Sequence, residues 1–116
     1  MWKWFKAAKH GDFDILKNFV ESADGPAINL KDDKGMTALM LAADAGNTTC
    51  IELLIDHKAI VDAQNMLGET ALMVAVKKGR NSCVRLLLDA KANVEANDSC
   101  GNTALLVAAK YGHAPC

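Results

Sequence analysis

A step of 33 residues runs through this chain and limits what it can become. Gly35, Gly68 and Gly101 are 33 apart, as are Thr37, Thr70 and Thr103, then Ala38, Ala71 and Ala104, then Leu39, Leu72 and Leu105. Ala42, Ala75 and Ala108 keep the same step, and so do Gly46, Gly79 and Gly112. One period shared by so many positions marks a stacked-repeat protein, in which each unit is too small to bury its own apolar face and is completed by its neighbours. A residue that recurs at this step is first a building part. Departures from the step carry whatever the chain says about function.

Each complete unit reads in one order. Asp32, Asn65 and Asp98 open a turn, and the Gly three residues later tolerates the positive φ such a turn needs. Thr37, Thr70 and Thr103 then stand where a helix begins, and a Thr oxygen can accept from a free N–H of the first turn. That helix is expected to run about eight to ten residues and to stop at Gly46, Gly79 and Gly112, which suit a left-handed C-terminal position. A second helix follows. Ile51-Glu52-Leu53-Leu54-Ile55 and Val84-Arg85-Leu86-Leu87-Leu88 are apolar on more than one stripe, as a helix packed on several neighbours is. Ala59-x-Val61-Asp62-Ala63 and Ala92-x-Val94-Glu95-Ala96 form a short extended return to the next turn.

Composition narrows the core. Hydrophobic residues make up 51% of the 116 but aromatics only 5%, so the interior is built from Ala, Leu, Val and Met. With 13 basic and 14 acidic residues the net charge is −1, which gives no overall pull toward nucleic acid or anionic membrane. No apolar run approaches the roughly 18 residues of a spanning helix, and the N-terminus lacks the apolar stretch of a signal peptide. Four cysteines without a C-x-x-C pair read as reduced thiols. The expected location is the cytoplasm, the nucleus not being excluded.

Gly-x-Thr-Ala-Leu-x-x-Ala, then Gly, then Leu-Leu, then Ala-x-Val-Asp/Glu-Ala resembles the ankyrin repeat. The resemblance implies an all-α repeat solenoid, of helix-turn-helix units joined by hairpin-like turns. It divides the chain into an N-terminal capping repeat (1–31), full repeats at 32–64 and 65–97, and a truncated repeat at 98–116. In the cap, Trp4-x-x-Ala7-Ala8-x-x-Gly11-Asp12 parallels the first helix with Trp4 in the Leu39 slot, and the loop around Gly25-Pro26 is two residues longer than its counterparts. The family favours Thr-Pro-Leu-His at the first helix. Here Ala38, Ala71 and Ala104 replace Pro, and Met40, Met73 and Leu106 replace His. Lys58 and Lys91 take the place of a Gly, a strain of about 1 kcal/mol each if the backbone keeps positive φ. The frequent Ala-Leu-Met, with Cys in the second helix, is similar to ankyrin-rich proteins of protists.

The chemistry-bearing residues mostly fall to the period. Cys50, Cys83 and Cys116 are 33 apart, hence in equivalent slots of successive second helices, and packed helices sit about 8–10 Å apart, beyond disulfide reach. Cys100 is out of register and is expected near a turn tip. His10, His57 and His113 occupy three different repeat positions and share no site. The pair Asp32 and Asp33 reads as turn capping. No phosphate loop, H-E-x-x-H, EF-hand loop or nucleophile–His motif is present. No enzyme activity, metal or cofactor is expected.

Informative positions are those that vary between copies while their neighbours stay fixed. By resemblance to the family, partners bind the turn tips and the exposed face of the first helices. The candidate residues are Lys34, Met36, Asp44, Met66, Leu67, Glu69, Lys77, Lys78, Asn102, Lys110 and Tyr111. Counting the whole face with Lys9, Lys31 and Asp33, six lysines stand against three acids, so the face leans basic. Met66-Leu67 puts two apolar residues on a turn tip, either packed on neighbours or standing out as an anchor. Lys77-Lys78 is either a solvated face or part of a rim. The expected function is a protein–protein interaction module without catalysis, binding an unidentified, mildly acidic protein with an apolar anchor on its concave face, and neither nucleic acid nor membrane. The alternative is a structural spacer or targeting segment, within a longer array or beside a separate catalytic domain such as a kinase. The period breaks at Pro115, before a second helix. From that break the array is expected to continue past Cys116, or this end to pack on another molecule, self-association included.

Overall fold

The computed structural model describes residues 2–21, 28–29 and 31–111. The long loop at Gly25-Pro26, the end of the chain with Gly112, His113 and Cys116, and the side chains of Trp4 and Tyr111 lie outside the described residues. Among the described residues seven helices follow one another: α1 (Trp2–His10), α2 (Phe13–Glu21), α3 (Ala38–Ala45), α4 (Thr48–Asp56), α5 (Ala71–Lys77), α6 (Asn81–Asp89) and α7 (Ala104–Tyr111). There is no strand among the described residues.

The Thr positions start the first helices, as their chemistry requires. Thr37 Oγ1 accepts from Met40 N at 3.3 Å, Thr70 Oγ1 from Met73 N at 3.3 Å, and Thr103 Oγ1 from Leu106 N at 3.4 Å. Each such cap contributes about 1 kcal/mol. Gly46 closes α3 at φ 79°, donating to Ala42 and Ala43 carbonyls. In the next unit Lys78 leaves the helix one residue ahead of Gly79, which has φ 70°, so α5 is only seven residues long, shorter than expected. Lys58 and Lys91 do adopt positive φ, at 68° and 66°. The strain foreseen for a side chain at those places is therefore present.

Two layers result. The first helices α1, α3, α5 and α7 pack in series, and each second helix lies on its own first helix, with α2 on α4 and α4 on α6. The stack measures 40 × 24 × 22 Å. Ala42, Ala43 and Ala75 are fully buried between first helices, where only a methyl group lets the backbones approach. Met40 and Met73 lie inside the core, where they pack as apolar side chains. Leu54 and Leu87 fill the second layer, with Cys50 and Cys83 beside them in equivalent places.

Candidate protein-binding face

The turn tips are built by one side chain each. Asp32 Oδ1 accepts from the Lys34 and Met36 amides at 2.9 Å, Asn65 Oδ1 from Leu67 and Glu69 at 2.9 and 3.0 Å, and Asp98 Oδ1 from Cys100 and Asn102 at 2.8 and 2.9 Å. The same residues close the turn through their own carbonyls, which accept from Gly35, Gly68 and Gly101. Asp32 is thus a turn builder, and its pairing with Asp33 is incidental. The Asn102 amide, with help from Cys100 and the charge of Lys110, pulls the Asp98 carboxyl below its usual range against a smaller opposing effect of burial.

Successive tips are bonded into a ladder. Met66 N donates to Lys34 O at 3.1 Å, and Ser99 N to Leu67 O at 2.9 Å. A Cβ on Gly35 would meet Met66 N at 2.8 Å, and one on Gly68 would meet Ser99 N at 2.7 Å. At these two places glycine is required by close approach as well as by φ. Side chains repeat the ladder below: Lys31 Nζ donates to Gln64 O at 2.8 Å, and Gln64 Nε2 to Asn97 O at 2.9 Å.

On this frame Met66 and Leu67 stand out, 75% and 60% exposed. Of the two readings open for them, packing on their own neighbours is not what the fold does. Their amides are spent on Lys34 O and Asn65 Oδ1, so the backbone of the pair is fixed. Met36 is different: it is half-buried against the core and its sulfur accepts from Asn65 Nδ2 at 3.2 Å. Glu69 lies half-buried beneath the tip and accepts from Asn65 Nδ2 at 3.0 Å. Asn102 is half-buried beside Asp98, 3.4 Å from its second oxygen.

The lysines of the face are partly neutralised in place. Lys77 Nζ is 3.5 Å from Glu69 Oε2, and Lys78 Nζ is 3.5 Å from Asp44 Oδ1, the latter pair joining two repeats. Arg80 Nε also donates to Asp44 O at 3.2 Å. Lys34 and Lys110 are exposed, and Tyr111 is placed only as the last residue of α7. Of the candidate residues, then, Lys34, Met66 and Leu67 gather on the tips. Asp44, Glu69, Lys77 and Lys78 form a paired cluster by the first helices, and Asn102 and Lys110 belong to the last unit.

A family model for ankyrin repeats in three copies matches residues 4–98. The chain belongs to the ankyrin-repeat family. Ankyrin repeats are in general protein–protein interaction modules. Burial raises the thiols of Cys50 and Cys83 above their usual range, which keeps them protonated and unreactive. Cys100 is exposed at a tip, as its place out of register implies. No group of three potential metal ligands exists among the described residues, and no described helix is long and apolar enough to cross a membrane. A groove of about 430 Å³ between α4 and α6, with Glu52, Arg85 and Asp89 in its wall, was not legible in the sequence, because it arises where two units meet.

Proposed function

We propose that this ankyrin-repeat chain holds a segment of a partner protein along its turn tips and the concave face of its first helices, and performs no chemistry. The observation that carries this reading is the exposure of Met66 and Leu67 on a hydrogen-bonded, rigid tip. Apolar side chains on a backbone already ordered by hydrogen bonds can serve as an anchor, because binding need not order that backbone. Lys34, exposed, lies beside the anchor, its carbonyl accepting from Met66 N. Lys77 and Lys78, already paired with Glu69 and Asp44, contribute less than their number suggests. A partner with an apolar side chain beside mildly acidic ones suits this arrangement. We place the protein in a reducing compartment, the cytoplasm or nucleus, in keeping with its unpaired Cys50, Cys83 and Cys100.

The test is the double change Met66→Ala with Leu67→Ala. A partner captured and identified by crosslinking to the wild-type chain is titrated by calorimetry into both forms. Binding weakens by roughly 1–3 kcal/mol while thermal unfolding is unchanged. Equal affinity for the two forms rules out the anchor.

A further inference from the structure

The methionine sulfurs divide sharply by their surroundings. Met40 and Met73 are each 1% exposed and lie in the core. Met36 is half-buried, and its sulfur accepts from Asn65 Nδ2 at 3.2 Å. Met66 is 75% exposed, and among the described residues it is the one methionine open to solvent.

That exposure belongs to the tip and not to an end of the stack. The Asp33-Lys34 tip stands on one side, with Lys34 O accepting from Met66 N. The Ser99-Cys100 tip stands on the other, with Ser99 N donating to Leu67 O. Both neighbours are in place, and the Met66 side chain still faces water.

An open thioether is oxidised by peroxides. On reaction with hydrogen peroxide the O–O bond breaks and an S–O bond forms. The sulfur is oxidised, and the second peroxide oxygen leaves as water. The product is a sulfoxide, a polar group where a soft apolar one stood. Pressed against an apolar partner surface it would lack a donor, and burying a polar group without one is costly. Sulfoxide reductases take the oxygen off as water at the expense of a dithiol, so the change can be undone.

We propose that Met66 is a site of reversible oxidation by peroxide, which turns the apolar anchor polar and releases the bound partner. The proposal rests on the reading of Met66 and Leu67 as that anchor. It goes further in assigning a role to the sulfur itself. Met66→Leu keeps an apolar side chain of similar volume and removes the atom that is oxidised, so this variant binds but does not switch.

The test begins on the chain alone, with Cys100→Ser and Cys116→Ser so that these thiols do not compete for the oxidant. After hydrogen peroxide treatment, peptide mass mapping is expected to show Met66 converted while Met40 and Met73 are unchanged. Methionine sulfoxide reductases A and B restore the thioether. Retention on a phenyl resin, standing in for an apolar partner surface, falls on oxidation and returns with the reductases, whereas the Met66→Leu chain keeps its retention. The partner identified by crosslinking is then titrated into each form. Oxidation weakens its binding roughly tenfold in the chain with Met66 and leaves Met66→Leu unaffected. Oxidation of Met40 or Met73 as fast as Met66, or unchanged retention, overturns the switch. So does equal partner affinity of oxidised and reduced chains where Met66→Ala with Leu67→Ala weakens binding; the anchor then stands without the switch. Equal affinity for that double variant removes the anchor itself.

Discussion

Ser99 holds Leu67 from the neighbouring repeat: its amide and its hydroxyl both donate to the Leu67 carbonyl, at 2.9 and 2.8 Å. The contact leaves the Leu67 side chain pointing away from the ladder, 60% exposed. Structure and proposed function meet in this one carbonyl, because the bonds that join two repeats also fix the apolar tip that a partner would grip.

That contact requires a glycine beside it. Gly68 has φ 76°, and a Cβ there would lie 2.7 Å from Ser99 N, a backbone atom that cannot move without breaking the ladder. Gly101 has φ 81° but nothing within 4 Å of its would-be Cβ. Gly101→Ala is expected to cost about 0.5–1 kcal/mol, the left-handed strain less the freedom that alanine removes from the unfolded chain. Gly68→Ala should cost at least about 1 kcal/mol more, since steric overlap with the next repeat adds to that strain. Urea unfolding of the two variants checks this; equal midpoints would show that the tips are not in close contact.

The lysines at φ 68° and 66° give a second expectation. Lys58→Gly or Lys91→Gly removes a left-handed strain of about 1–2 kcal/mol, offset by about 0.5–1 kcal/mol of extra freedom in the unfolded chain. Each change should therefore stabilise the protein by about 0.5–1 kcal/mol. Differential scanning calorimetry reads this as a raised Tm. A lowered Tm in both variants would contradict the strain.

Acid should loosen the last turn tip through Asp98. Hydrogen bonds from the Asn102 and Cys100 amides favour its charged form, so its pKa is lower folded than unfolded. The sign follows from that direction. The stabilisation is complete above the unfolded value, about pH 4, and is lost as pH falls through the folded one. Asp98 is largely solvated, so the effect is small. Asp98→Asn copies Asn65, whose Oδ1 already makes the equivalent two bonds. In this variant the fall of the urea midpoint between about pH 5 and pH 3 is expected to be shallower than in the wild type. Identical pH profiles would remove Asp98 from the account.

Much of the fold could be read because its parts act locally. Asp32, Asn65 and Asp98 cap turns within four residues of themselves, and Thr37, Thr70 and Thr103 bond to an amide three residues on. Geometry of that range depends on neighbours in the chain, which the sequence displays. The pairs Lys77–Glu69 and Lys78–Asp44 were not legible, although all four residues stood among the candidates. Their meeting depends on where long side chains point across a helix and a turn, or across two repeats. The half-burial of Met36, and the loss of Asn102 to its own turn, were hidden for the same reason.

The 33-residue step by itself determined the architecture, the capping residues and the equivalence of Cys50 with Cys83, since each is a property of one unit repeated. It could not determine exposure. Leu39, Leu72 and Leu105 are the same residue at the same place in the same helix, yet they are 1%, 2% and 68% exposed. A repeat acquires its inside from the repeat packed on it, so only the tertiary structure decides which copies of one letter are core and which are surface. The same holds at the tips. The sequence put Met66 and Leu67 on a turn, and the ladder to Lys34 and Ser99 turned them outward.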